Sequence, residues 1–244
     1  MHQLVKKPVA EGALASSDWL GAAYLPAAAE VRRILVTVAS LIVVLGCARE
    51  WLRLGYHVEG TSFFNLNREQ NIGAWFSTLL LAGCALLLMT AGRRAVALKQ
   101  PRAFFWFVLS ATFVALSIDE ASSVHESLMV PIHDALRSDG VFRYAWVVPA
   151  LVMVPLFASI SVPFLFSLPR RTALWFVASG AVYVTGALGF EMLEGLTDGV
   201  GVTFVTYYLI EETLEIAGTL SFLFSLMDYL VSVPPIGPLE FPAE

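Results

Sequence analysis

Charge is scarce in this chain, and its absence from long stretches excludes more than its total does. Of 244 residues only 14% are charged and 57% are hydrophobic. The apolar residues lie in long blocks without the 3.6-residue alternation of a helix on a soluble core. No lysine falls inside those blocks, which removes the Schiff-base position a retinal protein needs. Of four histidines only His125 falls in an apolar run, so the paired ligands of a transmembrane b-type haem are missing. The two cysteines, Cys47 and Cys84, stand apart inside apolar runs with no CxxC pair. They read as small apolar fillers, neither a disulfide nor a redox centre. Pro8, Glu11 and Asp18 interrupt the N-terminal stretch, so it has no apolar core of a cleavable signal. With a net charge of −5 and basic residues confined to small loop clusters, nucleic acid is excluded as a partner.

What is present is enough apolar length for about six passes, at roughly 20 residues each. The runs predict helices at 34–54, 72–91, 103–128, 144–168, 172–193 and 202–233. The fold class expected is all-α: a polytopic transmembrane bundle over 32–233, with a cytoplasmic or interfacial tail at 1–31 and a short tail at 234–244. Its first partner is the lipid bilayer, with a homo-oligomer or larger membrane complex as the further expectation. If the helices alternate, ten of the fifteen basic residues share one side: Lys6, Lys7, Arg32, Arg33, Arg93, Arg94, Lys99, Arg102, Arg170 and Arg171. The positive-inside rule then places both termini in the cytoplasm.

Several local signals refine that outline. The polar segment 55–71 is too long for a tight turn and predicts an ordered interfacial loop. Pro149, Pro155 and Pro163 predict a bent fourth helix. Ser179, Gly180, Ala181, Gly186, Ala187 and Gly189 predict close packing of the fifth helix against a neighbour. Glu50 and Glu69, flanked by Arg49, Arg53 and Arg68, read as surface ion pairs. His57 and His133 read as solvated loop histidines.

Three acidic segments then stand out: Asp119, Glu120, Ser122, His125 and Glu126 on the third helix; Glu191 and Glu194 on the fifth; Glu211, Glu212 and Glu215 on the sixth. The expected topology brings all three to one side and one depth. At 100° per residue Asp119, Ser122 and Glu126 fall within about 60° of arc, with His125 about 60° further round. Glu191 and Glu194 share a face, and Glu215 projects between Glu211 and Glu212. Glu212 and Glu215 lie roughly 15 to 20 Å along their helix, where a lipid-facing carboxylate costs about 2.5 to 3.5 kcal/mol on insertion scales. Something must neutralise them.

One solution is a metal. Carboxylates with an imidazole are ligands for Zn, Mn, Fe or Ca, and such groups projecting from several helices build metal sites in bundles. The candidate set is Asp119, His125, Glu126, Glu191, Glu194, Glu212 and Glu215 around a divalent metal ion, open to the outer face. An activated water or oxygen species there would act on a lipidic or small amphiphilic substrate. The second solution is a proton or cation pathway of carboxylates that share protons. The third is a structural polar network in an accessory subunit.

Two neighbouring chemistries are set aside. The serines and His125 do not take up a hydrolytic triad on a helical projection. The seven-helix ceramidase and adiponectin-receptor group uses an HxxxH pair that this chain lacks. The segments from Phe63 through Asn67, Asn71 and Trp75 to Ser77, and from Leu116 through Asp119 to Glu126, resemble uncharacterised bacterial multi-pass membrane proteins. That resemblance implies a bacterial inner-membrane location and no particular activity.

Overall fold

The computed structural model describes residues 12–58, 60, 62–68 and 70–233, with side chains from residue 28 onward. Lys6, Lys7, Glu69 and the tail 234–244 lie outside the described residues. Among these the fold is all-α with no strand: α1 Gly12–Tyr56, α2 Ile72–Ala97, α3 Phe104–Ser122, α4 Val124–Leu136, α5 Val147–Leu165, α6 Arg170–Val184, α7 Glu191–Glu194 and α8 Gly201–Ser232. Six helical stretches are long and apolar enough to cross a membrane: Ala28–Tyr56, Ile72–Ala97, Phe104–Ser122, Val147–Leu165, Arg170–Glu194 and Gly201–Ser232. This is a multi-pass membrane protein. The chain divides into two compact units, residues 1–38 and 39–244. The first holds the start of α1, which is helical from Gly12 within the stretch read as a tail. The second holds the remainder of α1, every other element and the whole candidate site.

The loop before α2 is ordered by its own side chains. Leu66 is buried against Gly46 and Gly73, where an added Cβ would stand 2.6 and 2.8 Å from the leucine side chain. Asn71 caps α2, accepting from the N–H groups of Gly73 at 2.5 Å and Ala74 at 3.0 Å, and donates to the carbonyls of Leu66 and Arg68. That satisfies first-turn donors which would otherwise be orphaned. Helix α2 runs on past Arg93 and Arg94 to Ala97, six residues beyond the expected end, because charge ends an apolar run but not a helix.

The third helix departs furthest from expectation. It stops at Ser122, and Ser123 takes left-handed angles, φ 50° and ψ 45°, before α4 begins. The predicted single helix to 128 is therefore corrected to two, and the helical projection that grouped Asp119 with Glu126 does not apply. The reason is local: the Asp119 carboxylate accepts the His125 backbone N–H at 2.7 Å, capping α4 from the preceding helix.

The helices of the second unit are held by close backbone approaches and hydroxyl bonds. Ser110 and Ser117 of α3 donate to the carbonyls of Ala85 and Thr78 of α2, at 2.8 and 3.0 Å. A Cβ on Gly218 of α8 would sit 2.7 Å from the Tyr183 nitrogen and 2.9 Å from the Ser179 oxygen of α6. The small residues there serve packing. One end of the bundle is filled by rings: Trp106 stacks on Tyr229 at 4.8 Å, Phe105 on Phe164 at 5.0 Å and Phe113 on Phe222 at 4.6 Å, with Phe176 at 4.3 Å from Phe222. The acids gather at the opposite end, where α3, α6–α7 and the start of α8 meet. The 32 residues of α8 measure about 48 Å at ~1.5 Å each, against a hydrocarbon layer of ~30 Å. Roughly 18 Å of excess length is therefore taken up by tilt or stands in the interfaces.

Candidate functional site

The break at Ser123 builds the first part of the site. Folding α4 back brings His125 Nδ1 to 2.9 Å from Asp119 Oδ2, while Oδ1 of the same carboxylate holds the His125 N–H. A carboxylate at Nδ1 assigns the ring proton to that nitrogen and fixes the orientation of the imidazole. The ring packs on Trp146, centroid to centroid 5.0 Å.

Trp146, in the turn before α5, passes the arrangement on. Its Nε1 donates to Glu191 Oε1 at 2.8 Å. Glu191 and Glu194 are both buried, at 8% and 4% exposure. The stretch Thr185–Phe190 between α6 and α7 is π-helical. Such a turn inserts an extra residue and rotates the next helical residues by about 100° relative to an unbroken helix. It therefore sets how the acids at 191 and 194 stand relative to Ser179 and Tyr183, which pack on Gly218.

Glu194 meets α8. Tyr144 hydroxyl donates to its Oε2 at 3.5 Å, and the Glu211 carboxyl is its hydrogen-bond neighbour. Glu194 Oε1 is fully buried with no protein donor against it. Two carboxyl groups can share a hydrogen bond only when one of them carries the proton. No arginine or lysine among the described residues forms an ion pair with Glu191, Glu194 or Glu211. Deeper in, Glu211 is within electrostatic range of Glu215. Tyr183 is in turn within range of Glu215, Glu120, Asp119 and Glu212.

Tyr144 itself lies in a turn outside the spanning segments. Burial holds its phenol above the ordinary tyrosine range; the charges of Glu194 and Glu191 add to the rise and Arg143 opposes it. The folded protein thus keeps this proton more tightly than the unfolded chain. Stability from this group is unaffected below the ordinary tyrosine value of about 10 and falls as pH rises past it. Tyr144→Phe is expected to lessen that alkaline loss, seen as a flatter dependence of Tm on pH above ~10 in detergent. An unchanged alkaline slope would remove Tyr144 from the account.

The arginines nearby are otherwise engaged. Glu50 is buried at 2% exposure and pairs with Arg49 and Arg53, the latter at 2.7 Å. The expectation of a surface ion pair is corrected here: the carboxylate sits inside the bundle, where two guanidinium groups compensate it. Tyr208 is within electrostatic range of both Arg53 and Glu194. Arg143 donates from Nη1 to the Thr197 carbonyl at 2.9 Å. Next to it an open pocket of about 660 Å³ is lined by His133, Ser138, Asp139, Gly195, Thr197 and Asp198 among others. It adjoins Glu194 through Gly195.

Asp119, His125, Glu191 and Glu194 thus join one connected arrangement, with Glu212 and Glu215 beside Tyr183. Glu126 is exposed on α4, within electrostatic range of Glu191. Among the described residues no group of three or more histidine, cysteine, aspartate or glutamate side chains is placed to hold a metal ion. The sequence reading missed Glu211 as a member of the set, along with Tyr144, Trp146 and Tyr183. Glu211 carried a signal, since it shares a projection with Glu215. The aromatics looked like ordinary membrane-interface residues.

No curated protein and no solved structure matches this chain. A family model described as a domain of unknown function, DUF8692, matches residues 33–230, which include every residue of the site, and the chain belongs to that family.

Proposed function

We propose that this protein binds and relays protons at one face of the membrane, as the proton-handling element of a transporter. The observation that carries this reading is the Glu194–Glu211 pair: neighbouring carboxyls in direct electrostatic contact, Glu194 buried and Glu211 half-buried, with no ion-pair partner among the described residues. Such a pair holds one proton in place of a counter-ion, which resolves the cost of placing acids in a bilayer. Tyr144 and the open pocket beyond Gly195 give it a route to water, and Glu215 with Tyr183 continues the chain of titratable groups inward. Beyond Tyr183 the opposite end is filled by rings, so protons reach the pair from the acid end alone in this conformation. A one-sided proton site closed beneath by packing suits coupling to a second movement better than continuous conduction.

In this reading the acid end faces outward, since most basic residues lie at the other, and the membrane is the bacterial inner membrane. Ligation of Zn, Mn, Fe or Ca by the same acids is the rival, and it makes a different demand on the experiment. Purified protein in proteoliposomes is subjected to a pH step while the infrared carbonyl band of protonated carboxyls is followed. The expected result is a titrating band lost in Glu211→Gln together with proton uptake by the vesicles. A band unchanged in the variant, or near-stoichiometric metal in the wild type that Glu211→Gln releases, would overturn the proposal.

A further inference from the structure

At the end opposite the acids, α6 enters the membrane span with Arg170 and Arg171 side by side and exposed. Neither arginine has an ion-pair partner among the described residues. A surface groove of about 600 Å³ runs from them along the helix, floored by Leu174, Trp175 and Ala178. Leu174 is 60% and Trp175 49% exposed, so no helix among the described residues covers that face. The groove is apolar along its length and cationic only at its mouth. Its depth follows from helix geometry: Trp175 lies four to five residues, about 6 to 7.5 Å, inward of the arginines. That is the separation between a headgroup phosphate and the first methylenes of an acyl chain.

We infer that this groove binds one anionic phospholipid, its phosphate held by Arg170 and Arg171 and an acyl chain laid along Leu174, Trp175 and Ala178. Charge complementarity selects the headgroup. Two guanidinium groups without a protein partner match a lipid carrying net negative charge, and they offer a zwitterionic headgroup less, because its own ammonium opposes them. The apolar floor anchors the chain without discriminating between lipids, and the indole is suited to the boundary between headgroup and acyl region. The site is remote from Glu194 and Glu211 and independent of the proton reading. It also agrees with the expected cytoplasmic placement of this end, where anionic lipids concentrate.

Thermal unfolding of the delipidated full-length protein in detergent tests the site, with phosphatidylglycerol or phosphatidylcholine added in series. Phosphatidylglycerol is expected to raise Tm saturably, at a half-saturating concentration well below that of phosphatidylcholine. Arg170→Gln with Arg171→Gln should weaken phosphatidylglycerol about thirtyfold, at roughly five- to sixfold per arginine, and bring it level with phosphatidylcholine. Trp175→Ala should weaken both lipids while leaving the preference intact. All three residues are exposed, so the variants are expected to fold, and circular dichroism checks that they do. Equal stabilisation by the two lipids in the wild type, or an undiminished preference in the double arginine variant, would overturn the inference.

Discussion

Gly218→Leu will leave little folded protein to extract, and Gly218→Ala will fold with a clearly lowered Tm. The hydrogen at this position on α8 faces main-chain atoms of α6, with an added Cβ 2.7 Å from the Tyr183 nitrogen and 2.9 Å from both the Ser179 oxygen and the Tyr183 Cβ. Contacts of that kind cannot be relieved by turning a side chain, so the two helices must part. Overpacking of a well-filled interior typically costs about 1 to 3 kcal/mol, which is the range expected for alanine. Leucine adds three more carbons to the same gap and forces the helices further apart. Gly180, where nothing stands within 4 Å of an added Cβ, is the matched control: Gly180→Ala should leave Tm unchanged or raise it, since helix propensity favours alanine. Thermal denaturation of the three variants in one detergent decides the matter. Equal behaviour at 180 and 218 would refute the close approach.

The second large effect concerns the carboxyl pair, and here different substitutions should give opposite signs. Glu211→Ala removes the neighbouring carboxyl and leaves the buried Glu194, whose Oε1 has no protein donor, with Tyr144 as its remaining side-chain partner. An unsatisfied buried polar group costs about 1 to 3 kcal/mol. Glu211→Gln keeps an amide donor in the same place and should hold most of the stability while losing the titratable proton. Replacing both acids by leucine removes the polar demand altogether and is expected to be neutral or stabilising, as apolar replacement of buried polar pairs often is. Tm values that fall in the order glutamine, alanine, double leucine would contradict this account and indicate that the acids are held by partners beyond each other.

Fold class was legible because it depends on apolar length, which the sequence displays directly: the six expected runs correspond to the six helical stretches able to span a membrane. The end at which the acids gather came from counting helices, and Glu191 and Glu194 lie at that end. Three features were not legible. The break at Ser123 depends on Asp119 reaching forward to cap α4, and nothing in a run of helix-compatible residues marks that choice. The burial of Glu50 depends on Arg49 and Arg53 lying against it in the bundle, whereas periodicity alone shows only three charges near a helix end. The membership of Tyr144, Trp146 and Tyr183 was hidden for another reason: aromatic residues are ordinary at these places in a membrane protein, and only the Tyr144 hydroxyl, the Trp146 indole N–H and the nearness of Tyr183 to the glutamates connect them to the acids.

The unequal lengths of α3 and α8 bear on how the molecule deforms its surroundings. Helix α3 is cut to 19 residues by the Ser123 break, about 28 Å at ~1.5 Å each, so it meets a ~30 Å hydrocarbon layer with no slack. Helix α8, at 32 residues, has length to tilt within the same layer. Hydrophobic mismatch therefore falls on the short spans, α3 and the equally short α5, where thinning of the lipid costs fractions of a kcal/mol per ångström. The same break that positions His125 thus also fixes how much length α3 has to offer the bilayer.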